Sequence, residues 1–310
     1  MGHFFISRLI SALVVIFGVT SLVFFMIHLI PGDPVEVMLG ESAQVADRES
    51  LRHALGLDQP VFVQWINYLL NVMQLDFGES LHSRQAITDI IAQRVPATLE
   101  LALFALLFAL AISLPLGILA AMQRQSFWDR SAMVVSLLGV SIPNFLMGPL
   151  LILLFSIYLG WLPVSGRDSS SSVILPALTL GTAMAAILSR MVRATLLEVI
   201  NEDYIRTARA KGMSKLRVMI FHALPNTLLP VITLLGLQLG ALLAGAVITE
   251  VVFSWPGIGQ LTIEAIQKRD YPLVQSCILL ISFTYVLVNT ATDVLYGVLD
   301  PRIRLGAQES

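Results

Sequence analysis

Residues 101–122 read LALFALLFALAISLPLGILAAM, twenty-two positions in a row without a charged side chain. At about 1.5 Å per residue such a helix measures about 33 Å, enough to cross a hydrocarbon core about 30 Å thick. A helix at the edge of a soluble core keeps a polar face, and this stretch has none. Working outward, five further runs lack formal charge: residues 9–30, 131–166, 173–189, 228–249 and 271–292. The run 131–166 is too long for one straight crossing, and Pro143 and Pro149 predict a kink or a re-entrant end. The reading is an all-α integral membrane protein with six transmembrane helices.

Composition leaves no other class. Apolar residues make up 56% of the 310 and charged residues 13%, against about 45–50% and about 25% in soluble proteins. Mean hydropathy is +0.81. So few polar side chains cannot cover a soluble surface. With 19 basic and 21 acidic residues the net charge is −2, which excludes a nucleic-acid-binding surface, and the apolar content excludes disorder. The single cysteine, Cys277, can form neither an internal disulfide nor a thiolate metal cluster. Arg8 before the first run resembles the start of a signal peptide. The run is longer than an h-region and no small-x-small cleavage site follows, so the first helix is expected to be retained.

Lysine and arginine set the orientation. The N-terminus, the turn 123–130, the segment 190–226 and the C-terminal tail carry twelve of the 19 basic residues. The positive-inside rule then puts both termini in the cytoplasm. The organisation expected is a cytoplasmic N-terminus and first helix (1–30), a periplasmic segment (31–96), a five-helix transmembrane core (97–299) and a cytoplasmic tail (300–310). Within 31–96, nine acidic residues outweigh four basic ones, and a helix-like stretch gathers Val61, Phe62, Trp65, Ile66, Tyr68, Leu69 and Leu70.

Catalytic chemistry is hard to find. Glu100, Glu250 and Asp293 lie near span ends and read as solvated interfacial carboxylates, and His28 and His222 as interfacial histidines. No H-E-x-x-H and no phosphate-binding Gly-rich loop occurs, and the Gly139–Ser141 step has no histidine near its depth. Asn144, Ser282 and Asn289 are polar residues on the spans. They are candidates for a translocation path, with helix packing as the alternative role.

The charged connection 196–226 reads as structure. Asn201 is the expected N-cap, with Glu202 and Asp203 in the first turn. Arg206, Arg209 and Lys211 load the far end, and Gly212 suits the left-handed position that stops a helix. Ser214 looks like a second N-cap, followed by Leu216, Met219, Ile220 and Ala223 on one apolar face. Pro225 and Pro230 are expected to break the path before the fifth span.

Here the sequence resembles a known family. Arg206-Thr207-Ala208, then Gly212, then Leu224-Pro225 resemble the EAA loop of permease subunits of bacterial binding-protein-dependent ABC importers. That loop runs Glu-Ala-Ala, three residues, Gly, nine residues, Ile-x-Leu-Pro. Arg206, Thr207 and His222 depart from it. With Asp203-Tyr204-Ile205 and Arg209-Ala210-Lys211 the variant is similar to the dipeptide/oligopeptide/nickel group, of the dipeptide permease first-subunit type. Further blocks agree: Pro31-Gly32-Asp33-Pro34, Leu55-Gly56-Leu57-Asp58, Asp76-Phe77-Gly78, Gly160-Trp161-Leu162-Pro163, Trp255-Pro256-Gly257-Ile258-Gly259, Arg269-Asp270-Tyr271-Pro272 and Asp300-Pro301-Arg302-Ile303-Arg304.

The resemblance implies a type I importer permease fold with a cytoplasmic coupling helix. It implies a second homologous permease subunit, two cytoplasmic ATPase subunits and a periplasmic substrate-binding protein as partners. It implies no cofactor on this chain, ATP and Mg being held by the ATPase subunits. Tyr204, Arg206, Ala208, Arg209, Lys211 and Gly212 fall where the family meets its ATPase, and Ala208 and Gly212, one turn apart, would permit close approach. The cargo implied is a di- or oligopeptide; a nickel chelate or glutathione is the alternative. An ion-coupled secondary transporter is the rival from another class, and it needs intramembrane carboxylates or broken helices near mid-depth.

Single cysteines test the topology. Glu41→Cys and Ala307→Cys, each in a Cys277→Ser background, are exposed to an impermeant thiol reagent in cells with a permeabilised outer membrane. Labelling at position 41 alone is expected; labelling at 307 contradicts the orientation.

Overall fold

The protein is described by a computed structural model covering residues 2–28, 35, 49, 52–53 and 56–299. Expectations for the tail 300–310 and for the side chains of His28 and Asp293 lie outside the described residues, as do Pro31-Gly32-Asp33-Pro34. The described elements are α1 (Gly2–His28), α2 (Val61–Met73), α3 (Ile87–Met122), α4 (Phe127–Ser141), α5 (Asn144–Leu151) with a π turn (Ile152–Tyr158), α6 (Ile174–Val199), α7 (Asp203–Ala210), α8 (Lys215–Val218) with a π turn (Met219–Ala223), α9 (Leu224–Val252), α10 (Ile258–Gln267) and α11 (Tyr271–Leu299). Among the described residues the only β feature is a bridge between Glu79 and Ala86. Among the described residues three helices are long and apolar enough to cross a membrane singly, up to five when each bent pair counts as one span, and α1 adds an apolar stretch over Leu9–Phe25.

The chain forms two compact units, Leu99–Trp255 with the chain from Val288, and Gly2–Thr98 with Pro256–Leu287. In the first, α6 is the buried helix. Its sequence sets Ala177, Gly181, Ala185, Ala186 and Ser189 among its leucines, all buried. Small residues let neighbouring backbones approach, which is how helices associate where lipid removes the hydrophobic drive. A Cβ on Gly181 would lie 2.8 Å from the Ala105 carbonyl oxygen of α3, and one on Gly117 of α3 would lie 2.8 Å from the Ser189 carbonyl oxygen. Along α4, Ser136 and Ser189 share a 2.8 Å hydrogen bond between their hydroxyls. At the end of that seam Arg193 donates twice to Asp129, Nε to Oδ1 at 2.6 Å and Nη2 to Oδ2 at 2.8 Å. Asp129 also accepts from Gln125 N at 2.9 Å, and so holds the α3–α4 turn, where Gln125 has φ +65°.

The long third run is broken as its prolines predict. α4 and α5 with its π turn meet at 106° across Ile142 and Pro143. Pro149 lies inside α5. Its missing N–H removes one helical bond, and the wider π turn follows directly after that helix. Before the fifth span the outcome differs from expectation. Pro225 follows directly after the π turn Met219–Ala223, and the helical path bends by 51° at Pro230 without ending there. The second span is longer than its apolar run, because α3 already begins at Ile87. Asp89 and Arg94 conceal an amphipathic turn whose Ile87, Ile90, Ile91 and Val95 join a core with Ile258, Leu261, Ala265, Leu273, Val274 and Cys277. α3 therefore starts within the stretch 31–96, ten residues before Ala97.

That core lies in the second unit, where Asp270 is the organising polar group. It is 1% exposed, and its carboxylate accepts from Ser80 Oγ at 2.5 Å, Leu81 N at 3.2 Å, His82 N at 3.4 Å and Leu273 N at 3.4 Å. One carboxylate thus caps α11 and holds the turn at 80–82.

The Asp129–Arg193 pair gives a test. Asp129→Ala strands the guanidinium at the α4–α6 seam, a loss expected at about 3 kcal/mol. Arg193→Lys keeps the charge and loses the two-pronged geometry, so the thermal midpoint in detergent should fall less for lysine than for Asp129→Ala.

Candidate functional site: a capped helix between two spans

The connection after α6 is the candidate site. Asp203 lies in the first turn of α7 and Arg209 in its last, each matching the helix dipole. The N-cap position belongs to Glu202, at φ −67° and ψ 148°, rather than to Asn201. The Asn201 side chain instead donates back to Leu197 O at 2.9 Å, because α6 extends to Val199 and the turn leaving it claims Asn201. At the other end Lys211 N donates to Thr207 O at 3.1 Å and Gly212 N to Arg209 O at 2.9 Å. Gly212 has φ +81° with no atom within 4 Å of a would-be Cβ, so backbone conformation alone asks for glycine there. Ser214 Oγ then accepts from Arg217 N at 3.4 Å and starts α8.

α7 has two faces. Ile205 is fully buried and Ala208 is 5% exposed, packed toward α8 and its π turn, where Val218, Met219 and Ala223 are also buried. Tyr204, Arg206, Thr207, Arg209 and Lys211 are exposed. Ala208 is therefore not on the outward face; its small side chain serves packing within the chain. The apolar face expected after Ser214 divides likewise, with Met219 and Ala223 buried and Leu216 and Ile220 exposed. Arg206 pairs with Asp203 at 3.2 Å in the open, where an ion pair adds little. The phenol oxygen of Tyr204 accepts from Asn226 Nδ2 at 2.8 Å, and the same amide group donates to His222 O at 2.9 Å. α7 is thereby tied to the first turn of α9. Asn226 gave no signal in the sequence beyond standing next to Pro225.

The path candidates are dispersed. Asn144 is the first residue of α5, directly after the 106° bend, and is half-buried. Ser282 and Asn289 are half-buried and seven residues apart on α11, hence on one face. Asn144 and Asn289 belong to the first unit and Ser282 to the second. The carboxylates near span ends are not free in water. Glu100 Oε2 accepts from Arg167 Nε at 2.8 Å and Nη2 at 2.5 Å, and Arg167 lies 5.7 Å from the centroid of the buried Trp255 ring. Glu250 is fully buried, which overturns the solvated reading. The chain turns at this end of α9, where the backbone N–H of the buried Trp255 donates to Glu250 O at 2.8 Å.

Residues 113–305 match the family described as the binding-protein-dependent transport system inner membrane component, and residues 1–102 match that family's N-terminal membrane component. The chain belongs to this family. It is 48% identical to the di/tripeptide transport system permease protein DppB of Pseudomonas aeruginosa (strain UCBPP-PA14), over 97% of this chain and 98% of that protein. It is 44% identical to the glutathione transport system permease protein GsiC of Escherichia coli (strain K12), over 98% and 99%. Its fold is similar to that of the MetNI methionine ABC transporter in an inward-facing form, at TM-score 0.59 and 20% identity over 69% of this chain and 97% of that one. An amino acid ABC transporter shares the fold at TM-score 0.51 and 14% identity, over 67% and 94%. The protein is a multi-pass permease subunit of an ABC importer, and ATP hydrolysis lies in separate subunits.

In this permease the α7–α8 turn depends on Gly212. A β-branched side chain at φ +81° costs about 1–2 kcal/mol. Gly212→Val should expose the turn, seen as faster tryptic cleavage after Arg209 and Lys211 in detergent, with Gly212→Ala milder. Unchanged cleavage for valine removes the strain argument.

Proposed function

We propose that this permease carries short peptides across the inner membrane. It works as one of two homologous permease subunits, with two cytoplasmic ATPase subunits that bind ATP and Mg and a periplasmic binding protein that delivers the solute. The observation that carries the peptide reading is the 48% identity to a di/tripeptide permease over nearly the whole of both chains. Glutathione is the second reading, favoured by the 44% identity to GsiC; as a tripeptide it belongs to the same chemical class.

The chain crosses the membrane six times with both termini in the cytoplasm, α1 supplying the first crossing and each bent helix pair one more. α7 is the coupling helix, and Tyr204, Arg206, Arg209, Lys211 and Gly212 meet an ATPase subunit. The exposure of those residues supports this reading, as does the Tyr204–Asn226 hydrogen bond, through which motion of α7 reaches α9. A short helix packed on its own chain and stopped at Gly212 suits the task, because coupling by domain closure needs a lever that does not bend. The external segment before α3 faces the binding protein, with the turn at 80–82 braced by Asp270. Asn144, Ser282 and Asn289 contribute to the passage.

The purified complex in proteoliposomes tests the proposal. Uptake of labelled dipeptide should require ATP and loaded binding protein and should persist when ion gradients are collapsed; uptake driven by an ion gradient without ATP refutes it. Competition by dipeptides but not glutathione selects the first reading over the second. Gly212→Val should lower hydrolysis stimulated by loaded binding protein several-fold while the two permeases still co-purify. Wild-type stimulation removes Gly212 from coupling.

A further inference from the structure

α2 has a surface that transport does not account for. None of its thirteen residues, VFVQWINYLLNVM, is charged. At 100° per residue they divide into three sectors. Trp65, Tyr68 and Val72 form one. Trp65 Nε1 donates to Ser21 Oγ of α1 at 3.2 Å, its ring lies 5.9 Å from that of Phe17 and 6.2 Å from that of Phe25, and Tyr68 lies 5.5 Å from Phe24. Phe62, Ile66, Leu70 and Met73 form the second, exposed by 63%, 39%, 49% and 81%. The third is polar: Gln64, Asn67 and Asn71, with Gln64 Nε2 donating to Gln59 O at 2.8 Å and Asn67 Nδ2 to Gln59 Oε1 at 3.3 Å.

The depth of this helix follows from its partner. α1 begins its uncharged run at Leu9, so Phe17 stands about 12 Å and Phe25 about 24 Å along the crossing, within a hydrocarbon core about 30 Å thick. An element packed on Phe17, Ser21 and Phe25 lies beside the stretch from the bilayer middle to the side remote from the N-terminus. α1 itself exposes apolar residues as well, among them Leu13, Val14, Phe17 and Leu22. A binding protein that docks and leaves would return the four apolar side chains of this stripe to water in every cycle, a patch that soluble surfaces avoid. An apolar sector beside a polar one lets a helix lie in the membrane interface, its apolar side against acyl chains.

We propose that α2 is a lipid-embedded anchor, its Phe62, Ile66, Leu70 and Met73 stripe against acyl chains and its Gln64, Asn67 and Asn71 side toward the headgroups. It fixes the start of the external segment to α1 and leaves the chain after Leu75 to face solute and partners. The inference rests on α1 crossing the membrane, as in the proposed topology. Spin labels at positions 13, 62, 66, 67, 71 and 73, one at a time in a Cys277→Ser background, are read by power saturation in the assembled complex in phosphatidylcholine–phosphatidylglycerol liposomes. Collision with oxygen should exceed that with a water-soluble nickel chelate several-fold at 62, 66 and 73, and the order should reverse at 67 and 71. A higher nickel signal at 62, 66 and 73 overturns the anchor in favour of an open docking face. Low collision with both reagents overturns it in favour of cover by the partner permease. Position 13 separates the two levels: a lipid-like signal there keeps α1 as a span whatever α2 does, and its absence overturns the spanning reading and the anchor together.

Discussion

Inside hydrocarbon there is no water to satisfy a peptide group, so every N–H and C=O of a crossing segment must be bonded within the protein. The described elements follow from that constraint. α3, α6 and α11 run for 26 to 36 residues without an irregular break. Where the chain does turn, between α4 and α5, the groups are met at once: Ile142 N donates to Leu138 O at 3.2 Å, and Leu146 N and Met147 N both donate to Pro143 O at 2.9 Å. The hydroxyls obey the same rule. Ser136, Thr179 and Thr195 donate to the carbonyl four residues earlier, at 2.9, 2.8 and 3.0 Å, so they cost the helices little and remain free to accept across a seam.

With the backbone satisfied, side-chain size decides how near two helices come. The small residues of α6 draw α3 and α4 close, and charged clamps close the two ends. Arg193 on α6 holds Asp129, and Arg167, seven residues before α6, joins Glu100 and covers Trp255. Gly166 N donates to Phe253 O at 2.9 Å, so the loop before α6 also carries the end of α9. These carboxylates are committed to structure at span ends. That is the arrangement expected of an importer driven by separate ATPase subunits, where no carboxylate has to release a proton or a sodium ion at mid-depth.

The α7–α8 segment follows the same logic with softer materials. Its cohesion comes from Ile205 and Ala208, buried on the side of Val218 and Met219. Its shape comes from the turn at Gly212 and the cap at Ser214. α8 runs through its π turn directly into α9, and a phenol–amide hydrogen bond ties α7 to the same helix. A hydrogen bond of this kind adds about 1 kcal/mol, too weak to hold the fold and strong enough to fix the angle of a helix already packed on one side. The exposed basic residues take no part in that cohesion, which leaves them free for a partner.

The sequence alone determined the class, because charge-free runs of membrane length have one physical meaning. It also determined the bend at Pro143, the stop at Gly212 and the start at Ser214, since each depends on the covalent limits of one or two residues. The family was legible for the same reason: its motif is a spacing of caps and turns along a single segment. Tertiary structure decided what depends on neighbours distant in sequence. No local rule joins Asp129 to Arg193, Ser80 to Asp270 or Tyr204 to Asn226, which lie 64, 190 and 22 residues apart. None tells whether Ala208 faces a partner or its own chain, because a small residue suits either contact. Charge misled at Glu250, which looked solvated and proves buried, because the surroundings of a charged residue are set by what folds over it.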